Sequence, residues 1–319
     1  MRPAAWDALL ARTSAIEAAV GDRFPLYADP ETGEWTTTRR GSWAGGFWTG
    51  LLRLRAAATG QSRHVAAARQ WTARLSDRLL DDTDTRAMTF WYGTRWGADE
   101  IAEAGAQALA ASASASGVIA VGSTYHPADP GRVSIDTLAA VVALLDHTGR
   151  AGLAARHAAA LAGLLVNERG AVVPHTGAGA DPGWSRGHAW GLLGFAVAAD
   201  RLDRQVAAGH SGVPFREVAE RVAGRWLSRH GHGVPLATSD GSGPVDTSAA
   251  MIAAAGLWTL GERDVAESML DTVTARYLRP DGVLAGGCYD RACAHELIWG
   301  TYFLAALTGV RRGLLPAGW

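Results

Sequence analysis

Cysteine is almost absent from this chain of 319 residues: there are two, Cys288 and Cys293. That excludes a disulfide framework. Even with His295 nearby, two thiols and one imidazole fall short of a closed zinc site, so neither a metal nor another cofactor is expected. Charge is scarce too. Charged residues make up 19% and the net charge is −1, which leaves no basic face for nucleic acid. No apolar run reaches the roughly 18 residues of a membrane span. The opening stretch "MRPAAWDALLARTSAIEAAV" reads as an amphipathic helix without the continuous apolar core of a signal peptide. A soluble cytoplasmic protein is therefore expected, with no nucleic-acid or membrane partner, as a monomer or weak homodimer. Alternation of β-branched residues is rare, which argues against a large sheet.

The chain is rich instead in glycine (39) and tryptophan (13, against 6 Phe and 6 Tyr), and 48% of it is apolar. Indole rings offer flat faces that stack on sugar C–H groups and on cations. Ala/Leu-rich stretches of helical length follow one another, among them "HVAAARQWTARLSDRLL", "DTLAAVVALLDHTG" and "TSAAMIAAAGLWTLG". Some, such as 248–260 and 299–309, are apolar nearly all round. Others, such as 62–80 and 216–230, carry charge on one face. The first kind is buried on all sides and the second faces water. Trp- or Asp-bearing segments open helices near 43, 91, 136, 186, 246 and 299. Each interval holds about two helices, so six helical hairpins repeat around a ring. The expected fold is an all-α (α/α)6 barrel, one domain spanning 1–319. Its apolar helices form the inner ring, and their starts open onto one pocket.

The residues gathered there are specific. "GSWAGGFWTG" supplies Trp43 and Trp48, and "TFWYGTRWG" supplies Trp91, Tyr92, Arg95 and Trp96. Asp136 heads a helix in "VSIDTL" and Asp246 another in "PVDTSA". The segment 175–190 adds His175, Trp184, Arg186, His188 and Trp190, and 286–302 adds Tyr289, His295, Glu296 and Trp299. Aromatic platforms, a few carboxylates and an arginine furnish a pocket for a small oligosaccharide or glycoside with an acidic sugar. Each residue also has a plain structural reading. Asp136 and Asp246 suit the first turn of a helix. Trp48 and Trp299 suit a core, and His175 a turn. Arg186, between indoles at −2 and +4, needs an anion if buried. A substrate carboxylate or a protein carboxylate, Asp181 or Glu296, would serve.

Five segments, in order from about Ser42 to Thr308, resemble the unsaturated glucuronyl hydrolases of glycoside hydrolase family 88 and the related unsaturated rhamnogalacturonyl hydrolases. "WAGGFWTG" is similar to the family's W-x-x-G-F-W-x-G, and "SIDT" to its S-x-D-[NT] catalytic segment. "HTGAGADPGWSRGHAWGLLGF" is similar to its H-[QT]-G…W-x-R-G-Q-A-W segment, and "DTSAAMIAAAGLWTL" and "ELIWGTYFLAAL" to two more. The resemblance implies an (α/α)6 barrel acting on glycosides of 4,5-unsaturated uronic acids by hydrating the vinyl ether: protonation at C4, then addition of water at C5. It makes Asp136 the general acid and then base. It has Arg186 holding the acidic end between Trp184 and Trp190, with His175 as the pocket histidine. Trp43, Trp91, His188, Asp246 and Trp299 complete the expected substrate-binding set.

One departure bears on the chemistry. The family's H-D-[LI]-G-F, whose aspartate flanks the catalytic one, aligns through its glycine with Phe90-Trp91-Tyr92-Gly93-Thr94. Its usual glutamine or asparagine is His188, and a common aspartate after W-G is Thr301. Two replacements for the second carboxylate follow. Phe90 and Trp91 would wall Asp136 off from water and raise its pKa by burial. Alternatively, Asp99, Asp240 or Asp246 would move in, Asp246 being the best placed. A barrel repurposed for another glycoside, or one that only binds sugar, is the competing reading.

Overall fold

The computed structural model describes residues 3–97, 99–207, 212–238, 243–289, 294–317 and 319. Cys293 and Asp240 lie outside the described residues. The inner helices are α2 (Gly45–Thr59), α4 (Arg86–Thr94), α6 (Leu138–His147), α8 (Ser185–Ala207), α10 (Thr247–Leu260) and α12 (Ile298–Arg311). Each packs on the next, and α12 packs back on α2, so the ring closes. The outer helices are α1 (Pro3–Val20), α3 (Ser62–Ala73), α5 (Asp99–Ala111), α7 (Ala151–Leu165), α9 (Phe215–His230) and α11 (Arg263–Arg276). Each of α3, α5, α7, α9 and α11 pairs with the inner helix before it, and α1 pairs with α12. The fold is the expected all-α barrel of six helical hairpins.

The two helix classes follow from composition. Every residue of α10 from Thr247 to Leu257 is buried. In α9, by contrast, only the stripe Phe215, Val218, Ala219, Val222, Ala223, Trp226 is buried, the 3–4 spacing of one helical face. Five inner helices begin within two residues of the expected positions. The exception is α4, which begins at Arg86 and not at Trp91. The apolar run 87–93 has no polar start signal of its own, and the break comes earlier, at Asp84-Thr85. Trp91 is thus in mid-helix.

A small antiparallel sheet in the order β2-β1-β4-β3 joins the ends of the chain. It is built from β1 (Phe24–Ala28), β2 (Trp35–Thr38), β3 (Gly287–Cys288) and β4 (Ala294–Leu297). The pairing Tyr27↔Leu297 and Ala28↔Glu296 ties the α1–α2 connection to the entry of α12. The interior of the barrel beneath the helix starts is filled. Phe47 stacks on Tyr92 at 4.6 Å, and Tyr302 and Phe303 lie 5.4 and 5.9 Å from Phe47, all fully buried. The interior is therefore a cup and not a channel.

Closing a ring of six helices requires close approach, and glycine supplies it. A Cβ on Gly46 would sit 2.4 Å from the Met88 carbonyl oxygen, and one on Gly50 would sit 2.7 Å from that of Tyr92. This gives the glycines of "WAGGFWTG" a packing reason: α2 lies with its backbone against α4. Both obstructing atoms are main chain and cannot rotate aside. Gly46→Ala should therefore destabilise the fold by roughly 1–3 kcal/mol, the usual range for an overpacked core. Thermal melts of Gly46→Ala beside Gly60→Ala check this. Gly60 is a left-handed helix cap with open space around it, so its substitution costs only local backbone strain.

Candidate active site

The starts of the inner helices surround a cavity of about 390 Å³, within the range of a small-ligand site. Its floor carries two carboxyl groups. Asp136 stands two residues before α6 and Asp84 two residues before α4. Both begin the same short pattern, Asp84-Thr85-Arg86-Ala87 and Asp136-Thr137-Leu138-Ala139. The threonine of one serves the aspartate of the other: Thr137 Oγ1 donates to Asp84 Oδ2 at 2.9 Å.

Burial raises both acids. Asp84 is 3% exposed and is pushed up to about 6, against hydrogen bonds from Thr137 and the Thr85 backbone that favour its charged form. Asp136 is half-buried, with Oδ1 enclosed and lacking a hydrogen-bond partner. Burial pushes it up to about 7. The Arg186 charge opposes this, and the Asp84 charge adds to it. The Asp84 charge raises Asp136, so the two acids titrate as a linked pair.

Asp136 is presented by an extended segment. Val133 and Ile135 are buried while Arg132, Ser134 and Asp136 line the cavity, the two-residue alternation of a strand. Bonds from Thr176 N–H to the Val133 carbonyl (3.0 Å) and from Ile135 N–H to the Pro174 carbonyl (2.9 Å) fasten it to the His175 loop. His175 thereby reaches the cavity wall. Trp43, Trp184, Trp190 and Tyr289 supply the aromatic walls.

Arg186 borders the cavity but has a protein partner. Nη1 donates to Asp246 Oδ2 at 2.6 Å and to the Cys288 carbonyl. Asp246 is fully buried and also caps α10, accepting from the backbone N–H groups of Ser248 and Ala249. The guanidinium lies 5.0 Å from the Trp184 ring and 5.5 Å from that of Trp299. The partner is therefore neither Asp181 nor Glu296. Glu296 pairs with Arg12, and Asp181 accepts from the Gly183 backbone N–H.

Of the expected binding residues, Trp43, His175, Trp184, Arg186 and Trp190 border the cavity together with Asp136. The others lie elsewhere. Trp91 packs 5.8 Å from the His147 ring and 5.1 Å from the Arg201 guanidinium. His147 ends α6, and Asp136 precedes its start, so about 15 Å of helix separates the two levels. Tyr92, Arg95 and Trp96 belong to the same far end, where Arg95 stacks on Trp96 and Trp319. The apolar wall around Asp136 is therefore not made by Phe90 and Trp91. Asp99, which pairs with His147, is equally remote. His188 turns outward, bonded to the Val222 carbonyl at 3.1 Å and edge-on to Trp226, because a residue two places after Arg186 leaves the opposite side of α8. Trp299 is fully buried behind Trp43, 4.6 Å away. Asp246 lies behind Arg186. His295 packs on Tyr27.

The alignment through Gly93 missed Asp84, and composition missed Tyr125, His126 and Arg132, which line the cavity from the long α5–α6 connection. A signal for Asp84 was present. Asp-Thr-x-Ala occurs at 84, 136 and 246, each time at an inner-helix start. No signal marked the residues of the connection.

No protein-family model matches the chain. The unsaturated glucuronyl hydrolase of Bacillus sp. (strain GL1) is 26% identical over 357 aligned positions, covering 92% of each chain. The crystal structure of the unsaturated glucuronyl hydrolase from Bacillus sp. GL1 superposes with a TM-score of 0.83 at 22% identity, over 99% of this chain and 98% of that one. That of Streptococcus agalactiae gives 0.83 at 18% identity, over 99% and 92%. The resemblance carried by five motifs thus extends over the whole chain, and the helical barrel is the fold of these hydrolases.

The raised acids leave a thermodynamic signature. An aspartate whose folded pKa lies above its unfolded value favours the fold at low pH, and that contribution is lost as pH rises through the folded pKa. For Asp136 the window runs from about 4 to about 7. Asp136→Asn carries no charge to bury, so its melting temperature should exceed that of the wild type at pH 8 and match it near pH 4. Equal melting temperatures at both pH values would show that Asp136 is not held protonated by the fold.

Proposed function

We propose that this chain is a glycoside hydrolase for sugars ending in a 4,5-unsaturated uronic acid, and that it works by hydration. The observation that carries the reading is the pair Asp84 and Asp136, two electrostatically linked acids with raised pKa values that line an aromatic-walled cavity. The relatives named above carry the same activity in their names. The second carboxylate, whose apparent loss favoured a sugar-binding barrel, is supplied by Asp84.

The chemistry needs an acid that still holds its proton near neutrality. Asp136 donates that proton to C4 of the C4=C5 double bond, and the charge left at C5 is stabilised by the ring oxygen. Water adds at C5, and the Asp136 carboxylate accepts its proton. The C5 hemiketal opens by breaking its bond to the ring oxygen. The resulting hemiacetal at C1 then releases the aglycone. One water is consumed, and Asp136 ends protonated as it began. Burial keeps Asp136 protonated before the step and the negative charge of Asp84 adds to it, while Thr137 fixes the orientation of Asp84. Trp43, Trp184 and Trp190 offer faces for the sugar ring.

Incubation with unsaturated disaccharides released by polysaccharide lyases should bleach the conjugated enol-ether absorbance. In heavy water the product should carry deuterium at C4, which direct displacement at C1 would not introduce. Asp136→Asn should lower the rate by about 10²–10⁴-fold, the usual share of a general acid, with the circular dichroism spectrum unchanged. Activity should fall as pH rises through about 7, where Asp136 loses its proton. Asp84→Asn removes the negative charge that raises the Asp136 pKa, so the alkaline limb should move to lower pH. Absence of bleaching with every unsaturated uronide tried would favour a repurposed or sugar-binding barrel.

A further inference from the structure

An acidic sugar needs a cation, and the obvious one is already engaged. Arg186 gives its Nη1 to Asp246 and to the Cys288 carbonyl. No lysine occurs in the chain, so any second fixed cation must be an arginine. Arg132 lines the same cavity. It stands on the extended segment that ends in Asp136, on the same side, with Ser134 between them. At about 3.3 Å per residue the two Cα atoms lie about 13 Å apart, a span over which an extended arginine side chain and an aspartate can meet neighbouring atoms of one sugar ring. Its charge reaches both Asp84 and Asp136.

Arg132 differs from Arg186 in its partners. It makes no ion pair with a carboxylate among the described residues. Its Nη2 lies 2.9 and 2.8 Å from the two ring nitrogens of His126, and its Nε is enclosed without a hydrogen-bond partner. Burial, then the Arg132 charge, holds His126 below the usual histidine range, so His126 backs the guanidinium as a neutral ring. A planar, permanently charged fork with unspent donors in the lining of the cavity is matched to a carboxylate.

We propose that Arg132 binds the carboxylate of the uronic acid, while Arg186, held back by Asp246, acts as a positioning residue behind the wall. The assignment rests on the hydrolase reading for its substrate, and it makes the α5–α6 connection the specificity element of the pocket. The C5 atom that bears the carboxylate is bonded to C4, so a guanidinium that holds the carboxylate also fixes where C4 lies relative to the acid.

The test compares an unsaturated disaccharide with its methyl ester. Arg132→Gln should raise KM for the free acid by about 10–100-fold, the loss expected for one charge-assisted contact, and leave KM for the ester within a few-fold. Arg132→Lys should recover part of the loss. Equal losses on acid and ester, or a selective loss in Arg186→Gln with none in Arg132→Gln, would overturn the proposal while leaving the hydrolase reading intact. Binding of the same two compounds to Asp136→Asn, with and without Arg132→Gln, separates the two questions by calorimetry. Arg132-dependent preference for the acid without wild-type turnover would sink the hydrolase reading alone. No preference for the acid in binding would sink the assignment of Arg132 whatever the turnover.

Discussion

The buried ion pair between Arg186 and Asp246 is the constraint on which the rest of the site depends. It joins the first turn of α8 to the cap of α10, across the barrel wall, with Asp246 fully enclosed. Such a pair is weak evidence of net stability, since two charges leave water to make it. Its effect is on placement. Asp246 is satisfied on every side, by Arg186, by Ser248 Oγ and by backbone N–H groups. Arg186 is clamped between Trp184 and Trp299. Trp299 supports Trp43 and Tyr289 from behind. One pair therefore sets the orientation of three of the cavity's aromatic faces, and neither member needs to touch a substrate to matter.

The same pair sets the electrostatic balance at the dyad. A bare guanidinium beside Asp136 would favour its ionised form and offset the rise that burial imposes. With its charge largely answered by Asp246, Arg186 only moderates the rise that burial and Asp84 impose. Burial acts most strongly on Asp136. A wall residue that admitted water would lower the Asp136 pKa without altering any charge.

The fold was legible in the sequence because its determinants are periodic and local. Apolar-all-round and one-faced helices alternate, and the interval between their starts repeats, so ring and hairpins follow from pattern alone. The site was legible where a side chain sits at a helix start, as with Asp136, Trp184 and Arg186. Errors arose where a residue's face on its helix decides its fate. Trp91 and His188 have the right composition, yet Trp91 lies a helix length away from the acid and His188 turns toward α9. Aligning on a glycine passed over Asp84, because Gly93 has a packing reason of its own: its Cβ would meet Leu75 and Thr49. Asp84 was recoverable from the threefold Asp-Thr-x-Ala, which follows from one need met three times, a polar start for an apolar helix. Arg132 was not recoverable, because the long connection that carries it has no period and its path depends on tertiary bonds.

The closed end of the barrel connects fold to substrate. Phe47, Tyr92, Tyr302 and Phe303 pack the interior below the dyad, and Trp319 lies against Phe303 at 6.1 Å. A chain of sugars cannot pass through such a barrel, so only an end can reach Asp136. A terminal residue differs from an internal one in having a free C4 edge, and an unsaturated uronide carries its reactive double bond on that edge. A cup closed beneath its acids is therefore suited to the end of a sugar chain, and poorly suited to cutting within a polymer. On the proposed hydrolase reading, the aromatic filling that first reads as core also confines the reaction to chain ends.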